Sequence, residues 1–248
     1  MIPKDRVLDK LDSFLKSNDY SGAKRLLEYW LGEAELTGDG LGLLLIENEL
    51  MGLSRKLGEK EQALKYAQSA LNQVEKMGIE NNVGAATTYL NSATVFKAFD
   101  MAESALPLYE KAKIIYEKNL SPDDERLGGL YNNMGLALVD LKRYKEAHDL
   151  YNKALSVMQA NDKKEPEQAI TYLNMATAVE MEFGLESAKD KIDFFVEKAI
   201  ICMDSAKNQT DGNYAFVCEK CASVFGYYGY FAYENELINR KRRIYEGA

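Results

Sequence analysis

Histidine, tryptophan, cysteine and proline are nearly missing from this chain of 248 residues, which holds one His, one Trp, three Cys and four Pro. One His removes most imidazole acid–base chemistry and every multi-His metal site. Three Cys without an export signal are too few for a disulfide framework, so a reducing, cytoplasmic setting is expected. Long apolar runs are also missing. The longest aliphatic one, Leu43 to Ile46, falls far short of the roughly 20 residues that span a bilayer, and no membrane partner is expected. The opening residues, MIPKDRVLDKLDSF, contain no apolar stretch of the length a signal peptide needs. Basic charge is in deficit, with 31 Lys and Arg against 39 Asp and Glu for a net charge of -8, the wrong sign for a nucleic-acid partner.

What is present is ample apolar material, 46% of residues against 28% charged, sufficient for a sizeable core. It is arranged as a repeat. Segments beginning at Tyr89, Tyr131 and Tyr172, 42 and 41 residues apart, each carry Asn two residues after the Tyr and Ala or Gly four residues after it. Ala105, Ala147 and Ala188 follow at a fixed offset, and the same column extends back to Ala63 and Ala23. Within each segment the apolar residues recur at threes and fours, the helical period. Two helices per unit are expected, turning at Asn18-Asp19, Gly58, Phe99-Asp100, Lys142-Arg143, Gly184 and Gly229, with polar links between units. Ser121 is placed to cap a helix that Pro122 begins. Small residues recur where helices must approach closely: Ala63, Ala105 and Ala147, then Ala70, Ala112 and Ala154 seven residues on. The expectation is an all-α chain of six helical hairpins in a single domain over 1-248. Its approximate repeats are 4-40, 41-82, 83-124, 125-166, 167-210 and 211-248.

YNNMGLAL from Tyr131, YKEA from Tyr144 and LYNKAL from Leu150 resemble the tetratricopeptide repeat (TPR) family, and the likeness covers nearly the whole chain. The spacing is similar to the long repeats of kinesin light chains and bacterial peptide receptors rather than to the 34-residue standard. The family's early Trp is replaced by Tyr89, Tyr131 and Tyr172, and no Pro closes the second helices. Eleven residues rather than seven separate Ala188 from Ala199, which implies a fifth hairpin longer by about one turn. The first and sixth units fit loosely, as end-capping repeats do. The resemblance implies a right-handed superhelical solenoid whose first helices line a concave groove for a peptide or partner segment.

On the matching faces lie Asn48, Glu49, Arg55 and Lys56, then Asn91, Thr94 and Lys97, then Asn132 and Asn133, then Asn174, Thr177 and Glu180. Asn91, Asn133 and Asn174 form one column. The resemblance implies that they contact the backbone of a ligand; a structural role bridging helices is the alternative. Arg55, Lys56 and Lys97 either clamp a carboxylate, as similar residues do in some TPR proteins, or are solvated charges. Cys218 and Cys221 have CxxC spacing but lie on a helix packing face, so core packing outweighs metal or redox use. His148 is expected to be solvated, and Gly38-Asp39-Gly40-Leu41-Gly42 to be a plain turn. Tyr227, Tyr228, Tyr230, Phe231 and Tyr233, followed by Asn239 to Arg243, read as an aromatic cap with a basic helix end or as a docking surface for a second copy or an acidic partner. No catalytic residue, metal ligand or cofactor is expected. The function expected is a non-catalytic protein- or peptide-binding scaffold, the alternative being a peptide-responsive sensor in bacterial signalling.

Overall fold

The computed structural model describes residues 1–246, and among them every regular element is a helix. They are α1 (Lys4–Lys16), α2 (Tyr20–Thr37), α3 (Gly40–Lys56), α4 (Lys60–Lys76), α5 (Val83–Ala98), α6 (Ala102–Asn119), α7 (Glu125–Asp140), α8 (Tyr144–Gln159), α9 (Glu165–Phe183), α10 (Lys189–Ser205), α11 (Gly212–Tyr227) and α12 (Phe231–Glu246). The helices form two compact units, one over Met1–Leu120 with α1 to α6 and one from Ser121 onward with α7 to α12. In each unit consecutive helices pair as hairpins, and the first helices of adjacent hairpins also touch: α3 with α5, α7 with α9, and α9 with α11.

Local chemistry explains where each helix starts and stops. Asp19, Asp39, Asn82, Asp124 and Asp211 each accept a backbone N–H from the first turn of the helix that follows, satisfying a donor that the helix leaves open. Asp39 also accepts the N–H of Ile2 at 2.7 Å, and these bonds hold its carboxyl below the usual range. Ser121 does not cap α7. Its hydroxyl bonds the Asp123 carboxylate and the helix begins later, at Glu125, behind Asp124. A carboxylate is the stronger acceptor at the positive end of a helix. Left-handed backbone occurs at all six anticipated hairpin turns, at Asn18, Gly58, Asp100, Lys142, Gly184 and Gly229.

Packing follows the small-residue columns. Ala23, Ala63, Ala105, Ala147 and Ala188 are buried, as are Ala70, Ala112 and Ala154. Gly135 on α7 serves the same end against a large neighbour: a Cβ there would lie 2.6 Å from Cε1 of Tyr151, whose ring is fully buried against it. The fifth hairpin is longer, as its spacing indicates. α9 has 19 residues against 16 in both α7 and α11. The Ala column shifts register there: Ala188 is the N-cap of α10, and Ile192 takes the place that Ala147 has in α8, its N–H bonding the Ala188 carbonyl at 2.9 Å as Ala147 bonds Arg143 at 3.1 Å.

Glu47 of α3 is an exception to apolar burial. One carboxyl oxygen accepts the Ser69 hydroxyl from α4, while the other is buried with no hydrogen-bond partner. Burial, the dominant influence, pushes its pKa up. The native state therefore holds the Glu47 proton more tightly than the unfolded chain does. Stability from this group is present below the ordinary Glu value of about 4.3 and declines as pH rises through the raised value.

Two outcomes are expected. Gly135→Ala should lower the melting temperature, since overpacking against Tyr151 costs ~1–3 kcal/mol and outweighs the roughly 1 kcal/mol that Ala gains in helix propensity. Glu47→Gln should unfold at higher urea concentration than wild type at pH 7, with the difference vanishing near pH 4. An equal difference at both pH values would show that the carboxyl's charge is not its source.

Candidate functional site

The anticipated binding residues fall on the faces of the first helices, and many are bonded to one another. In the first unit Asn48 donates to the Leu44 carbonyl at 2.7 Å and to Thr88 Oγ1 at 3.1 Å. Asn91 of α5 donates to Asn48 Oδ1 at 2.8 Å, joining α3 to α5. Both N–H groups of Asn48 are thus spent, whereas Asn91 retains one N–H and its carbonyl oxygen. In the second unit Asn174 donates to Asn132 Oδ1 at 3.1 Å, joining α9 to α7. Its partner is Asn132, not the neighbouring Asn133. Asn133 is half-buried and makes no side-chain hydrogen bond among the described residues.

The threonines serve their own helices. Thr94 bonds the Leu90 carbonyl at 2.8 Å and meets the Tyr109 hydroxyl at 3.2 Å, and Thr177 bonds the Leu173 carbonyl at 3.2 Å. The cations do not act as one group. Lys56 lies over the Tyr20 ring, 4.8 Å from its centroid, so it turns toward α2. Lys97 is half-buried one turn beyond Thr94. Arg55 is half-buried with no ion pair or hydrogen bond among the described residues, and burial lowers its pKa. Glu49, also half-buried, has its pKa pushed up by burial and then by Asp12 of α1.

One pairing was not foreseen. Glu180 of α9 accepts the hydroxyls of Tyr227 at 2.5 Å and Tyr228 at 2.8 Å, tying α9 to the end of α11. The signal available was two tyrosines directly before the turn glycine of the sixth hairpin, one repeat after Glu180.

Residues 84–160 match the family model described as tetratricopeptide repeat. These residues carry tetratricopeptide repeats. No curated protein matches its sequence. Among solved structures it is similar to BtubC (BKLC) from P. vanneervenii, with a TM-score of 0.69 and 20% identity over 83% of this chain and 81% of that one. It is also similar to a putative kinesin light chain from Podosopora anserina with nearly identical TPR-like repeats. There the TM-score is 0.56 and the identity 15%, over 81% of this chain and 94% of that one. A Rap protein in complex with Competence and Sporulation Factor gives 0.57 and 14%, over 96% of this chain and 75% of that one. Likeness at these identities is likeness of fold, and that fold is the all-α TPR solenoid.

Other candidate chemistry in the chain is absorbed by packing. Cys218 and Cys221 are buried and Cys202 half-buried, all as free thiols. Burial pushes Cys202 and Cys218 up to about 11, and Cys221 higher still, so none is a ready thiolate at neutral pH. Among the described residues no group of three or more His, Cys, Asp or Glu could hold a metal ion, and no helix is long and apolar enough to cross a membrane. His148 is not alone in solvent, for its Nε2 lies 3.3 Å from Glu182 of α9.

The basic end of α12 is largely neutralised from within. Arg240 bonds Asp204 at 2.8 Å, Glu236 at 2.9 Å, and both the Met203 carbonyl and the Tyr214 hydroxyl at 3.1 Å. Lys241 pairs with Glu219 at 3.1 Å and Arg243 with Glu236 at 3.3 Å.

If the Asn48–Asn91 bond holds α3 against α5, Asn48→Ala and Asn91→Ala should each lower unfolding stability by about 1 kcal/mol. The double variant should lose less than the sum of the two. Strict additivity in urea titrations would mean that the bond contributes nothing.

Proposed function

We propose that the chain is a non-catalytic binding module that holds an extended peptide or partner segment on the first-helix faces of its first unit. The observation that carries this reading is Arg55. A half-buried guanidinium has lost part of its hydration, and no carboxylate compensates it in the free protein. An acidic side chain or terminal carboxylate of a ligand would supply the missing charge, with geometry suited to two parallel hydrogen bonds. The unspent donor and acceptor on Asn91 are suited to the amide groups of a peptide backbone, and the whole carboxamide of Asn133 offers the same groups within the second unit. Asn48 and Asn132 serve to position their partners. Lys97 adds positive charge on the same helix as Asn91, and Lys56 lies over the Tyr20 ring.

The fold shared with the Rap protein solved in complex with Competence and Sporulation Factor keeps a peptide-responsive sensor as the second reading. A homodimer through the C-terminal repeat draws less support, because three of its cations are paired internally.

A peptide-library selection on the purified protein tests the proposal. Wild type should enrich a motif containing an acidic residue or a free C-terminus. Arg55→Gln should weaken the enriched peptide at least tenfold with little change in melting temperature. Enrichment of nothing, or unchanged affinity in a folded Arg55→Gln variant, would overturn it.

A further inference from the structure

The open face of α3 is a narrow arc with opposite charges at its two edges. Leu45, Asn48, Glu49, Gly52, Arg55 and Lys56 are half-buried or exposed, while residues interleaved with them, such as Ile46, Leu50, Met51 and Leu53, are buried. At about 100° per residue, those six positions all fall within about 60° of Gly52. Glu49 lies at one edge of the arc and Arg55 at the other, about 9 Å apart along the helix axis. Between them the helix is bare. A Cβ added at Gly52 would meet nothing within 4 Å, so close packing does not call for glycine there as it does at Gly135. Glycine also weakens a helix relative to alanine. What an open glycine provides is room for another backbone to approach.

Neither edge charge is satisfied. Glu49, like Arg55, makes no ion pair or side-chain hydrogen bond among the described residues, and the two do not pair with each other. The charge that acts on Glu49 is a second carboxylate, Asp12 of α1, and the group that acts on Arg55 is the Tyr109 hydroxyl of α6. Lys56, on the Glu49 side of the arc, is turned over Tyr20. Half-burial strips hydration from both edge groups, and only a ligand carrying both signs compensates both. We infer that the segment bound on this face is dipolar, with a basic side chain against Glu49, an acidic group against Arg55, and its backbone crossing Gly52 between them. An extended chain advances about 3.3 Å per residue, so about 9 Å places the two ligand charges roughly three residues apart. This rests on the reading of the α3 face as a peptide site; the base, its spacing and the role of Gly52 are added to it.

The peptide-library selection tests the addition if the enriched sequences are then varied one charge at a time. The motif should hold Lys or Arg two to four residues from its acid. Replacing that base by Ala should weaken binding to wild type at least fivefold and binding to Glu49→Gln by less than twofold. Replacing the acid should show the same pattern between wild type and Arg55→Gln, which should keep its preference for the base. Gly52→Leu should weaken the parent peptide at least tenfold while its circular dichroism matches wild type. An Arg55-dependent acidic motif without a base, or a base whose removal costs the same in wild type and Glu49→Gln, would sink the dipolar ligand and leave the Arg55 reading standing. Unchanged affinity in Gly52→Leu would remove the backbone crossing. A selection that enriches nothing would overturn both readings together.

Discussion

Close approach between helix backbones governs this fold. Two helices approach closely along their length only where one presents almost no side chain, and the Ala column provides that at the same offset in the first four hairpins. Once these contacts are set, the large residues have defined places. Tyr151 fits against the face of α7 because Gly135 leaves room for its ring. The polar residues of the first helices are then brought within bonding reach of their counterparts one repeat away, as Asn48 meets Asn91 and Asn132 meets Asn174. The amide links between hairpins follow from a spacing that the alanines impose.

The same repeat made much of the architecture legible. Offsets between alanines show helical pairing without any knowledge of side-chain contacts, and the turn residues announce themselves by composition. Legibility failed where the answer depended on rotation by a single residue. Asn132 and Asn133 are adjacent, about 100° apart around the helix axis, and spacing could not choose which of them meets Asn174. Arg55 and Lys56 diverge for the same reason, one half-buried and the other over Tyr20. Ser121 looked like a cap by residue type, but the carboxylate of Asp124 three residues on is the stronger acceptor. Glu47 sits on a face that is apolar in its neighbours, and only packing reveals that one of its oxygens lacks a partner.

Charge is distributed unevenly among roles. Arg240 is a structural cation with acceptors from α10, α11 and α12 around it, so a basic run that looked available for a partner is mostly consumed in closing the last hairpin. Arg55 has no such set of acceptors. Two arginines with similar sequence surroundings therefore differ in kind: one completes the fold and the other leaves an unmet electrostatic demand.

The scarce residues are also divided between the two units. Trp30 lies on α2 in the first, while Cys202, Cys218 and Cys221 lie on α10 and α11 in the second. Repeat proteins need not unfold in one step, because each hairpin contacts mainly its neighbours. Indole emission here reports on one unit and thiol accessibility on the other, without any label or substitution. Whether the two halves melt as one cooperative body can thus be followed in the native sequence, by asking whether the fluorescence transition and the onset of thiol modification coincide.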